Sequence, residues 1–234
     1  MKIAEERIEL VTDERRILEE FLELQGAAVL ELGCGKAEKT RIVAEKAATV
    51  LALEVDEIQL SINQAISDLP NVRFAKGCAE QISAGEESFD LVLMFKSLHH
   101  VSVDRMDDAL SEIARVLKPG GKAYISEPVF AGDFNEILRL FNDERVAREA
   151  AFEAVKRAVM DGRFILLRQQ FFLQPVHFED FTSFEKVVIG VTHSDHVLSA
   201  ETREAVKTAF GKHMTKTGAD FFMPIRVDFL EKRA

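Results

Sequence analysis

The sequence has little cysteine, no tryptophan, a single tyrosine and no long apolar run. Its two cysteines, Cys34 and Cys78, stand far apart without a metal-ligand spacing, which excludes a disulfide framework and gives no reason to expect a metal site. No stretch reaches the roughly 18 apolar residues of a membrane span, and residues 1–7 carry charges where a signal peptide needs an apolar run. We therefore expect a cytoplasmic protein in a reducing compartment, with no membrane span.

Basic residues are also in deficit, since 30 Lys and Arg face 40 Asp and Glu and the formal net charge is −10. Nucleic-acid binders usually carry a basic face and a high pI, so this charge argues against nucleic acid as a partner. The chain has 234 residues, 47% of them apolar and 30% charged, which is enough for one domain with a sizeable core. No linker or internal repeat divides it, so we expect a single domain over residues 1–234.

Strand and helix patterns alternate through the first half of the chain. Apolar, β-branched segments predict strands, and amphipathic segments between them predict helices. The predicted strands are 28–32, 49–55, 71–76, 89–95 and 122–128, and the predicted helices are 39–47, 57–67 and 105–117. Helical spacing of apolar residues also predicts an N-terminal helix over residues 4–24, covering one edge or mouth of the sheet. This alternation is typical of an α/β protein with a doubly wound, mostly parallel sheet.

The regular alternation stops after residue 128. Residues 134–160 read as a long helix or a helical pair, 164–176 as an extended segment, 179–189 and 199–214 as helices, and 221–231 as a closing strand. The two later strands bring the predicted sheet to seven. Fourteen of the 18 Phe residues follow Val129, which indicates a different task for this part of the chain. We interpret residues 27–128 as a cofactor-binding core and residues 130–220 as a variable helical lid and acceptor region, inserted after the fifth strand.

The first predicted strand runs into two glycines, Gly33 and Gly35, and a helix follows at once. Such glycines let the backbone approach a ligand closely and lead the chain to a helix N-terminus. Glu31, inside the strand, is a carboxylate whose burial is costly unless a polar or cationic group meets it. Glu54 ends the second strand 19 positions after Gly35, near the spacing at which α/β nucleotide folds place an acidic residue on a ribose hydroxyl. The pattern predicts a ligand site at the carboxyl ends of the strands.

Other interpretations of these residues stay open. A dinucleotide site would need a third glycine at position 38, which is Glu38 here, and an ordinary tight turn or a solvated strand end would explain the glycines or Glu54 without a ligand. For Cys78, the role of a small buried apolar residue is favoured over that of a reactive thiol. His193 and His196 share a polar segment and could bind a metal, although two histidines in such a loop usually belong to the loop alone.

Six motifs, in order, give the chain a family likeness. They are Glu31-Leu-Gly-Cys-Gly35, Glu54, Gly77-Cys-Ala-Glu80, Phe89-Asp-Leu-Val92, Leu98-His-His-Val101 and Ala114-Arg-Val-Leu-Lys-Pro-Gly-Gly121. Together they resemble the class I S-adenosylmethionine-dependent methyltransferases, over roughly residues 27–128. The resemblance implies a Rossmann-like fold, S-adenosylmethionine as the cofactor and methyl transfer as the activity.

The resemblance also implies which residues face the methionine end of the cofactor. Gly33, Cys34 and Gly35 would lie against the methionine part, and Glu31 would lie near its amino group. Phe95 and Lys96, at the end of the fourth strand, would lie beneath it.

At the other end of the cofactor, the resemblance implies that Glu54 accepts hydrogen bonds from the ribose hydroxyls and that Val55 flanks the adenine. Cys78 and Ala79 would sit at the adenine edge. This chain departs from the family pattern at Cys78, where an acidic residue often contacts the adenine amino group, and at Ala37, where many members have a third glycine. A thiol is a poor acceptor, so Glu80 or a backbone carbonyl would take that contact.

The acceptor side is less defined. His99 and His100 are candidate bases, but the pair is common in the resembling family whatever the acceptor, which favours a structural or pocket-lining role. Phe130 and Phe134 could line an apolar acceptor pocket, although core packing explains such rings equally well. No catalytic residue is assigned from the sequence.

We expect from the resemblance a methyltransferase that transfers a methyl group to a small-molecule acceptor by direct in-line displacement. The acidic net charge and the Phe-rich variable region are the basis for a small acceptor. Two alternatives remain: a methyltransferase of RNA or protein, which a basic patch beside the pocket would favour, and a non-catalytic cofactor-binding subunit.

Overall fold

The computed structural model describes residues 1–191 and 197–233, and His193 and His196 lie outside the described residues. The helices are α1 Glu14–Phe21, α2 Glu38–Ala44, α3 Glu57–Gln64, α4 Met106–Val116, α5 Asp133–Leu138, α6 Arg145–Met160, α7 Phe181–Phe184 and α8 Ala200–Gly211. The strands are β1 Ala28–Leu32, β2 Thr49–Glu54, β3 Val72–Lys76, β4 Phe89–Phe95, β5 Leu117–Pro128, β6 Phe164–Phe178, β7 Met214–Thr215 and β8 Gly218–Lys232. Two short 3₁₀ turns, Leu98–His100 and Val103–Arg105, follow β4, and a single π-helical turn, Glu185–Ile189, follows α7.

The strands form one mixed sheet in the order β3-β2-β1-β4-β5-β8-β6, with β7 paired to β8. Strands β1 to β5 pair in parallel, and β8 lies antiparallel between β5 and β6. This confirms the predicted α/β fold with a doubly wound, mostly parallel sheet; the two-residue β7 is an eighth strand that the sequence did not predict. The order of the strands reverses between β1 and β4, which opens a crevice at their carboxyl ends.

Both faces of the sheet are covered, which explains why its inner strands are almost continuously apolar. Leu30 and Leu32 of β1 point to the face that α4 and α6 cover. Val29, on the other face, packs with α1 and α2. A third cluster, rich in phenylalanine, joins α5, α7 and α8 to the ends of β6 and β8.

The predicted N-terminal helix over residues 4–24 is wrong for its first half, since α1 begins only at Glu14. The preceding segment is irregular and meets β6 in one isolated β-bridge, between Val11 and Leu173. Leu173 N donates to Leu10 O at 2.8 Å, and Thr12 N donates to Leu173 O at 3.1 Å. Strand β6 is the edge of the sheet, so its unpaired backbone groups are available to this segment. Asp13 then caps α1 by accepting from Arg16 N.

Residues 130–220 combine helices with sheet. The predicted helical region 134–160 is a pair, α5 and α6, and the predicted extended segment is the 15-residue strand β6. The predicted helices over 179–189 and 199–214 appear as α7 with the π-helical turn and as α8. Within the part of the chain that is described, no helix has both the length and the apolar character needed to cross a membrane.

Candidate functional site

A cavity of about 600 Å³ opens at the carboxyl ends of β1, β2 and β4. Its volume falls within the range of roughly 300–1,000 Å³ that is usual for small-molecule sites. The residues predicted from the sequence that line it are Gly33, Gly35, Glu54, Val55, Cys78, Ala79, Glu80, Phe95, Lys96 and His100. The structure thus brings together residues from four separate stretches of the chain.

The glycine turn after β1 has a backbone that only glycine adopts readily. Gly33 has φ +73°, and a Cβ there would lie 2.8 Å from Cβ of Ser97. Gly35 has φ +50°, and a Cβ there would meet no atom within 4 Å, so its open side faces the cavity. The N–H groups of Gly33 and Cys34 both donate to Leu53 O, which holds the turn against β2. The turn is therefore rigid on one side and accessible to a ligand on the other.

The Glu54 carboxylate is held by backbone donors. Its Oε2 accepts from Gly35 N at 2.7 Å, and its Oε1 accepts from Val55 N at 2.9 Å and Asp56 N at 3.0 Å. A carboxylate has about four lone-pair sites, so three bonds leave room for a further donor. Glu54 is buried but lines the cavity, which points that remaining capacity toward a ligand.

The Glu31 carboxylate lies behind the turn and is almost completely buried, at 1% exposure. Among the described residues, its Oε2 has no hydrogen-bond partner. Burial raises the pKa of Glu31 to about 8; the negative charge of Glu54 adds to this, while Thr40 and Lys39 act in the opposite direction. An unpaired buried carboxyl oxygen is costly, so a cationic ligand group beside it would be strongly favoured.

Cys34 does not line the cavity. Burial is the main cause that raises the pKa of its thiol, which keeps the thiol neutral. Asn63 of α3 donates to Gly35 O at 2.7 Å and contacts Cys34 Sγ at 3.5 Å, while Gln59 donates to Asn63 Oδ1 at 2.9 Å. The inward polar face of α3 therefore supports the glycine turn from below.

Cys78, Ala79 and Glu80 line the far end of the cavity, opposite the methionine end implied by the resemblance. The Cys78 thiol makes a weak contact with Gln81 O, at 3.9 Å. Val55 is 58% exposed at the rim, so its apolar side chain is free to cover a flat ligand.

The segment after β4 meets the glycine turn from the opposite side. Ser97 Oγ donates to Leu32 O at 2.8 Å, and Lys96 N donates to Ser126 O at 2.7 Å. The Phe95 ring packs against Tyr124, with ring centroids 5.6 Å apart. These contacts place Phe95, Lys96 and Ser97 along one wall of the cavity.

The two adjacent histidines have different surroundings. His100 is exposed and lines the cavity, whereas His99 is buried and donates from Nδ1 to Glu127 at 2.6 Å. His99 Nε2 lies 3.8 Å from Glu144 Oε2, to which Arg148 donates at 2.6 Å. Burial lowers the pKa of His99, but Glu127 and Glu144 more than offset this, so the net pKa is raised. His99 therefore belongs to a buried charge network that joins β5 to α6.

The same network contains a group with metal-ligand geometry. One ligand atom each from His99, His100 and Glu144 lies within 4.8 Å of the others. Arg148 already donates to Glu144 Oε2 from both Nε and Nη2, and Asn142 donates to Oε1. A cation at this position would have to displace the guanidinium.

The structure does not bring Phe130 and Phe134 to the cavity wall. Phe130 packs under the Arg145 guanidinium, 4.7 Å from the ring centroid. Phe134 is buried in the phenylalanine cluster, where its ring stacks on Phe178.

Several cavity residues were not predicted from the sequence: Lys36, Asp56, Gln59, Ser97, Gly190 and Val191. A signal for Gln59 exists, since Gln59 and Asn63 are polar residues four apart and therefore lie on the same face of α3. Gly190 and Val191 come from the variable region, and nothing local indicates that they reach the cavity.

Comparison with known proteins relates this chain to methyltransferases. Residues 30–125 match a protein family described as a methyltransferase domain. An uncharacterised methyltransferase of Synechocystis is 35% identical over 96 residues, which covers 41% of this chain and 44% of the relative. The ubiquinone biosynthesis O-methyltransferase of Agrobacterium fabrum is 30% identical over 132 residues, covering 53% of this chain and 50% of that protein. The chain thus spans about half the length of these curated relatives, or less.

The similarity of the fold extends further than that of the sequence. The crystal structure of the YcgJ protein from Bacillus subtilis superposes with a TM-score of 0.67 over 94% of this chain and 97% of that one, at 16% identity. Identity this low bears on the fold alone. The fold therefore agrees across nearly the whole chain, whereas the sequence relationship is concentrated in residues 30–125.

Proposed function

We propose that this chain, which belongs to the class I S-adenosylmethionine-dependent methyltransferases, transfers the methyl group of that cofactor to a small-molecule acceptor. The observation that carries the proposal is the paired placement of two buried carboxylates around one glycine turn. Glu54 reaches the turn at Gly35 N, and behind the turn one Glu31 oxygen is unpaired within the part of the chain that the structure describes.

The described residues fit the cofactor at three points. The unpaired Glu31 oxygen suits the cationic amino group of the methionine part. The open side of Gly35 allows the cofactor to pass close to the backbone, where a Cβ would stand in its way. The remaining acceptor capacity of Glu54 suits the ribose hydroxyls.

The adenine would lie between the exposed side chain of Val55 and the segment Gly77–Glu80. Of the groups there, the Glu80 carboxylate is a better acceptor than the Cys78 thiol for the adenine amino group. We retain Cys78 and Ala79 as residues that shape this end of the cavity. Phe95, backed by Tyr124, supplies the wall beneath the methionine part.

When bound, S-adenosylmethionine supplies a methyl group on a cationic sulfonium, which is already activated for displacement. The protein then has to hold donor and acceptor in line and keep water out. Phe95 and the glycine turn, which α3 supports, hold the cofactor in place. Of the side chains that line the cavity, His100 is best suited to take a proton from a hydroxyl or amine of the acceptor.

We assign cofactor binding to residues 27–128 and acceptor recognition to residues 130–220. The support is that Gly190 and Val191 of the second region reach the cavity wall. A small acceptor suits a cavity of about 600 Å³ in a chain with a net charge of −10.

Calorimetric titration with S-adenosylmethionine and S-adenosylhomocysteine tests the cofactor assignment. We expect saturable binding by the wild type and its loss in Gly35→Val. Gly120→Val is the matched control, because Gly120 also has a positive φ of +71° and open space around its Cβ position but lies away from the cavity. Absence of binding by folded wild-type protein would overturn the proposal.

Transfer itself is measured with S-adenosylmethionine labelled on the methyl group, against a panel of small hydroxyl, carboxyl and amine compounds and against RNA and protein. We expect label on members of the small-molecule panel. Label found only on RNA or protein would contradict the proposed acceptor class, and cofactor binding with no transfer to any class would favour a non-catalytic subunit.

A further inference from the structure

The Glu144 carboxylate lies beside the two histidines that follow β4. One oxygen of Glu144 and one ring nitrogen each of His99 and His100 lie within 4.8 Å of one another. His100 lines the cavity, whereas Glu144 belongs to the variable region, at the residue before α6. The carboxylate therefore acts on a side chain that faces the ligand site, although the two residues are remote in the chain.

Glu144 does not serve its own helix. It occupies the N-cap position of α6, where a side-chain oxygen ordinarily accepts from a backbone N–H of the first turn. Within α6, all of which the structure describes, the Glu144 side chain makes no such bond. The carboxylate instead contacts a distant part of the chain, and exceptions of this kind to local rules are expected at functional sites.

Two side chains fix the direction of the Glu144 carboxylate. Asn142 donates to Oε1 at 2.9 Å, and Arg148 donates to Oε2 from Nη2 at 2.6 Å and from Nε at 3.1 Å. Arg148 is buried and donates from Nη1 to Asn135 Oδ1 at 3.0 Å. An anion that is held in this way needs no rearrangement when positive charge develops beside it.

Glu144 carries its negative charge at neutral pH. Burial raises the pKa of its carboxyl group, but the opposing effect of His99, Arg148 and His100 is larger, so the net pKa is lowered. The interaction between Glu144 and His100 is favourable when the His100 imidazole is protonated. Glu144 therefore assists any step in which His100 gains a proton.

His99 connects this contact to the rest of the charge network. Its ring lies next to that of His100, with centroids 4.1 Å apart, and its Nδ1 donates to Glu127 at 2.6 Å. Of the charged groups packed around the two rings, Glu127 and Glu144 are anionic, and Arg148 and a protonated His99 are cationic. Since His99 is committed to Glu127, Glu144 is the carboxylate placed to act on His100.

We propose that Glu144 is a positioning residue for His100, and that the pair selects an acceptor with a proton on the atom that is methylated, namely a hydroxyl or an amine. The inference rests on the proposed function, in which His100 takes that proton. The Glu144 carboxylate orients the imidazole and stabilises the imidazolium, as the third group does where a base is oriented by a carboxylate.

Atoms and electrons balance in this step. A lone pair of the acceptor oxygen or nitrogen forms the bond to the methyl carbon, and the bond from that carbon to the sulfonium breaks with its electron pair on sulfur, which becomes a neutral thioether. The acceptor proton moves to a ring nitrogen of His100 and then to water. A carboxylate acceptor is already ionised at neutral pH and would need no base.

Kinetics with a hydroxyl or amine acceptor test the pair. In Glu144→Gln we expect kcat to fall by about 10- to 100-fold, part of the roughly 10²–10⁴-fold contribution of general acid–base catalysis, with KM for the acceptor unchanged. The affinity for S-adenosylhomocysteine should also stay unchanged. Glu144→Asp keeps the charge and should retain part of the rate. Glu149→Gln, on the exposed surface of α6, is the matched control and should keep the wild-type rate.

A double-mutant cycle separates positioning from a structural role. His100→Gln should lower kcat at least as much as Glu144→Gln, and the double variant should be no slower than His100→Gln alone, because Glu144 acts through His100. Losses that multiply would show that Glu144 supports the fold independently of His100, and would overturn the proposal.

The kinetic test remains available if Glu144→Gln is unstable. That variant leaves the buried Arg148 without its carboxylate, whereas Glu144→Gln combined with Arg148→Met leaves no unpaired charge there. We expect this pair of substitutions to lower kcat to the same extent, and a wild-type kcat in the folded double variant would overturn the proposal.

Nuclear magnetic resonance of the histidine side chains tests the contact without cofactor or acceptor. The His100 signal is identified by its absence in His100→Gln. We expect the pH midpoint of its titration to be about 1 unit lower in Glu144→Gln than in the wild type, the smaller end of the effect of an opposite charge within 4–6 Å. Glu149→Gln should leave the midpoint unchanged.

The outcomes separate this inference from the proposed function. Absence of methyl transfer by folded wild type to every acceptor class would overturn the proposed function itself. An unchanged His100 titration in Glu144→Gln, or a wild-type kcat in that variant with a hydroxyl or amine acceptor, would overturn the role of Glu144 alone. Transfer by the wild type to carboxyl compounds only would contradict the inferred acceptor class.

Discussion

The Glu54 carboxylate accepts a hydrogen bond from the backbone N–H of Gly35 at 2.7 Å, although the two residues are 19 positions apart. One acidic side chain at the end of β2 thus closes the glycine turn at the end of β1. The same carboxylate faces the cavity. Its effects on fold stability and on ligand binding are therefore coupled.

Glu54→Gln should weaken both properties. The glutamine amide offers one acceptor oxygen, so its NH₂ group would face at least one of the three backbone N–H groups that Glu54 now binds. We expect a loss of about 1–3 kcal/mol in the free energy of unfolding, measured with urea, and weaker S-adenosylhomocysteine binding. Glu57→Gln, on the exposed surface of α3, is the matched control and should change neither. Unchanged stability in Glu54→Gln would contradict the structural role.

Gly33→Ala tests the close approach of the turn to the segment after β4. Gly26 and Gly33 have the same φ of +73°, but a Cβ at Gly26 meets nothing within 4 Å, while a Cβ at Gly33 would lie 2.8 Å from Ser97 Cβ. Gly26→Ala should cost about 1–2 kcal/mol from the backbone alone. Gly33→Ala should cost more and should also weaken cofactor binding. Equal melting temperatures for the two variants would contradict the contact.

Cofactor binding should release protons near neutral pH. The pKa of Glu31 is raised to about 8 by burial, so the free protein holds this proton at about pH 7. An ammonium group beside Glu31 would favour the ionised form and expel the proton. The heat of S-adenosylhomocysteine binding should then differ between phosphate and Tris buffers in proportion to their ionisation enthalpies. Glu31→Gln should abolish that difference, and a wild type whose binding heat is independent of the buffer would contradict the placement of the amino group.

The buried pair His99–Glu127 should make the free energy of unfolding fall at both high and low pH. The pKa of His99 is raised, so its contribution is present below its unfolded value and is lost as pH rises through the folded value. Burial raises the pKa of Glu127, but the opposing effect of His99 and Arg226 is larger, so the net pKa is lowered. The contribution of Glu127 to stability is therefore lost as pH falls through its folded pKa. Stability should therefore be greatest between these two limits.

Glu127→Gln is the corresponding variant. We expect it to lower the free energy of unfolding by about 3–5 kcal/mol at about pH 6, where both partners are charged, and by less at about pH 9. The exposed pair His177–Asp220, with 2.8 Å between Nδ1 and Oδ1, is the control, and Asp220→Asn should cost less than about 1 kcal/mol. A pH-independent loss in Glu127→Gln would show that the pair contributes by packing and hydrogen bonding alone.

The parts of the site that the sequence predicted depend on short-range patterns. Strand β1, the turn at Gly33 and Gly35, and the strand ending at Glu54 each have a local signature, namely apolar strands, glycines and an acidic residue at a set spacing. The fold class followed from the same alternation. The roles of individual residues at this site stay predictions that measurements of ligand binding will test.

The N-terminal segment shows where local patterns failed. Residues 4–13 carry apolar residues at nearly helical spacing, yet they form no helix, and residues 10–12 instead bond to the backbone of the edge strand β6 at Leu173. That competition involves residues far apart in the chain. Helical propensity alone is a weak influence when the alternative is a sheet edge that needs covering.

The sequence by itself determined the class of ligand site, because the strand, the glycine turn and the acidic residue can each be recognised from neighbouring residues along the chain. Only the tertiary structure decided which side chains meet there. Three of these meetings join positions that are remote in the chain. Lys96 contacts Gln174, His99 lies beside Glu127 and Glu144, and Gly190 reaches the cavity wall. The physical reason is that burial and pairing of charge depend on how the layers pack, and local spacing does not specify that packing.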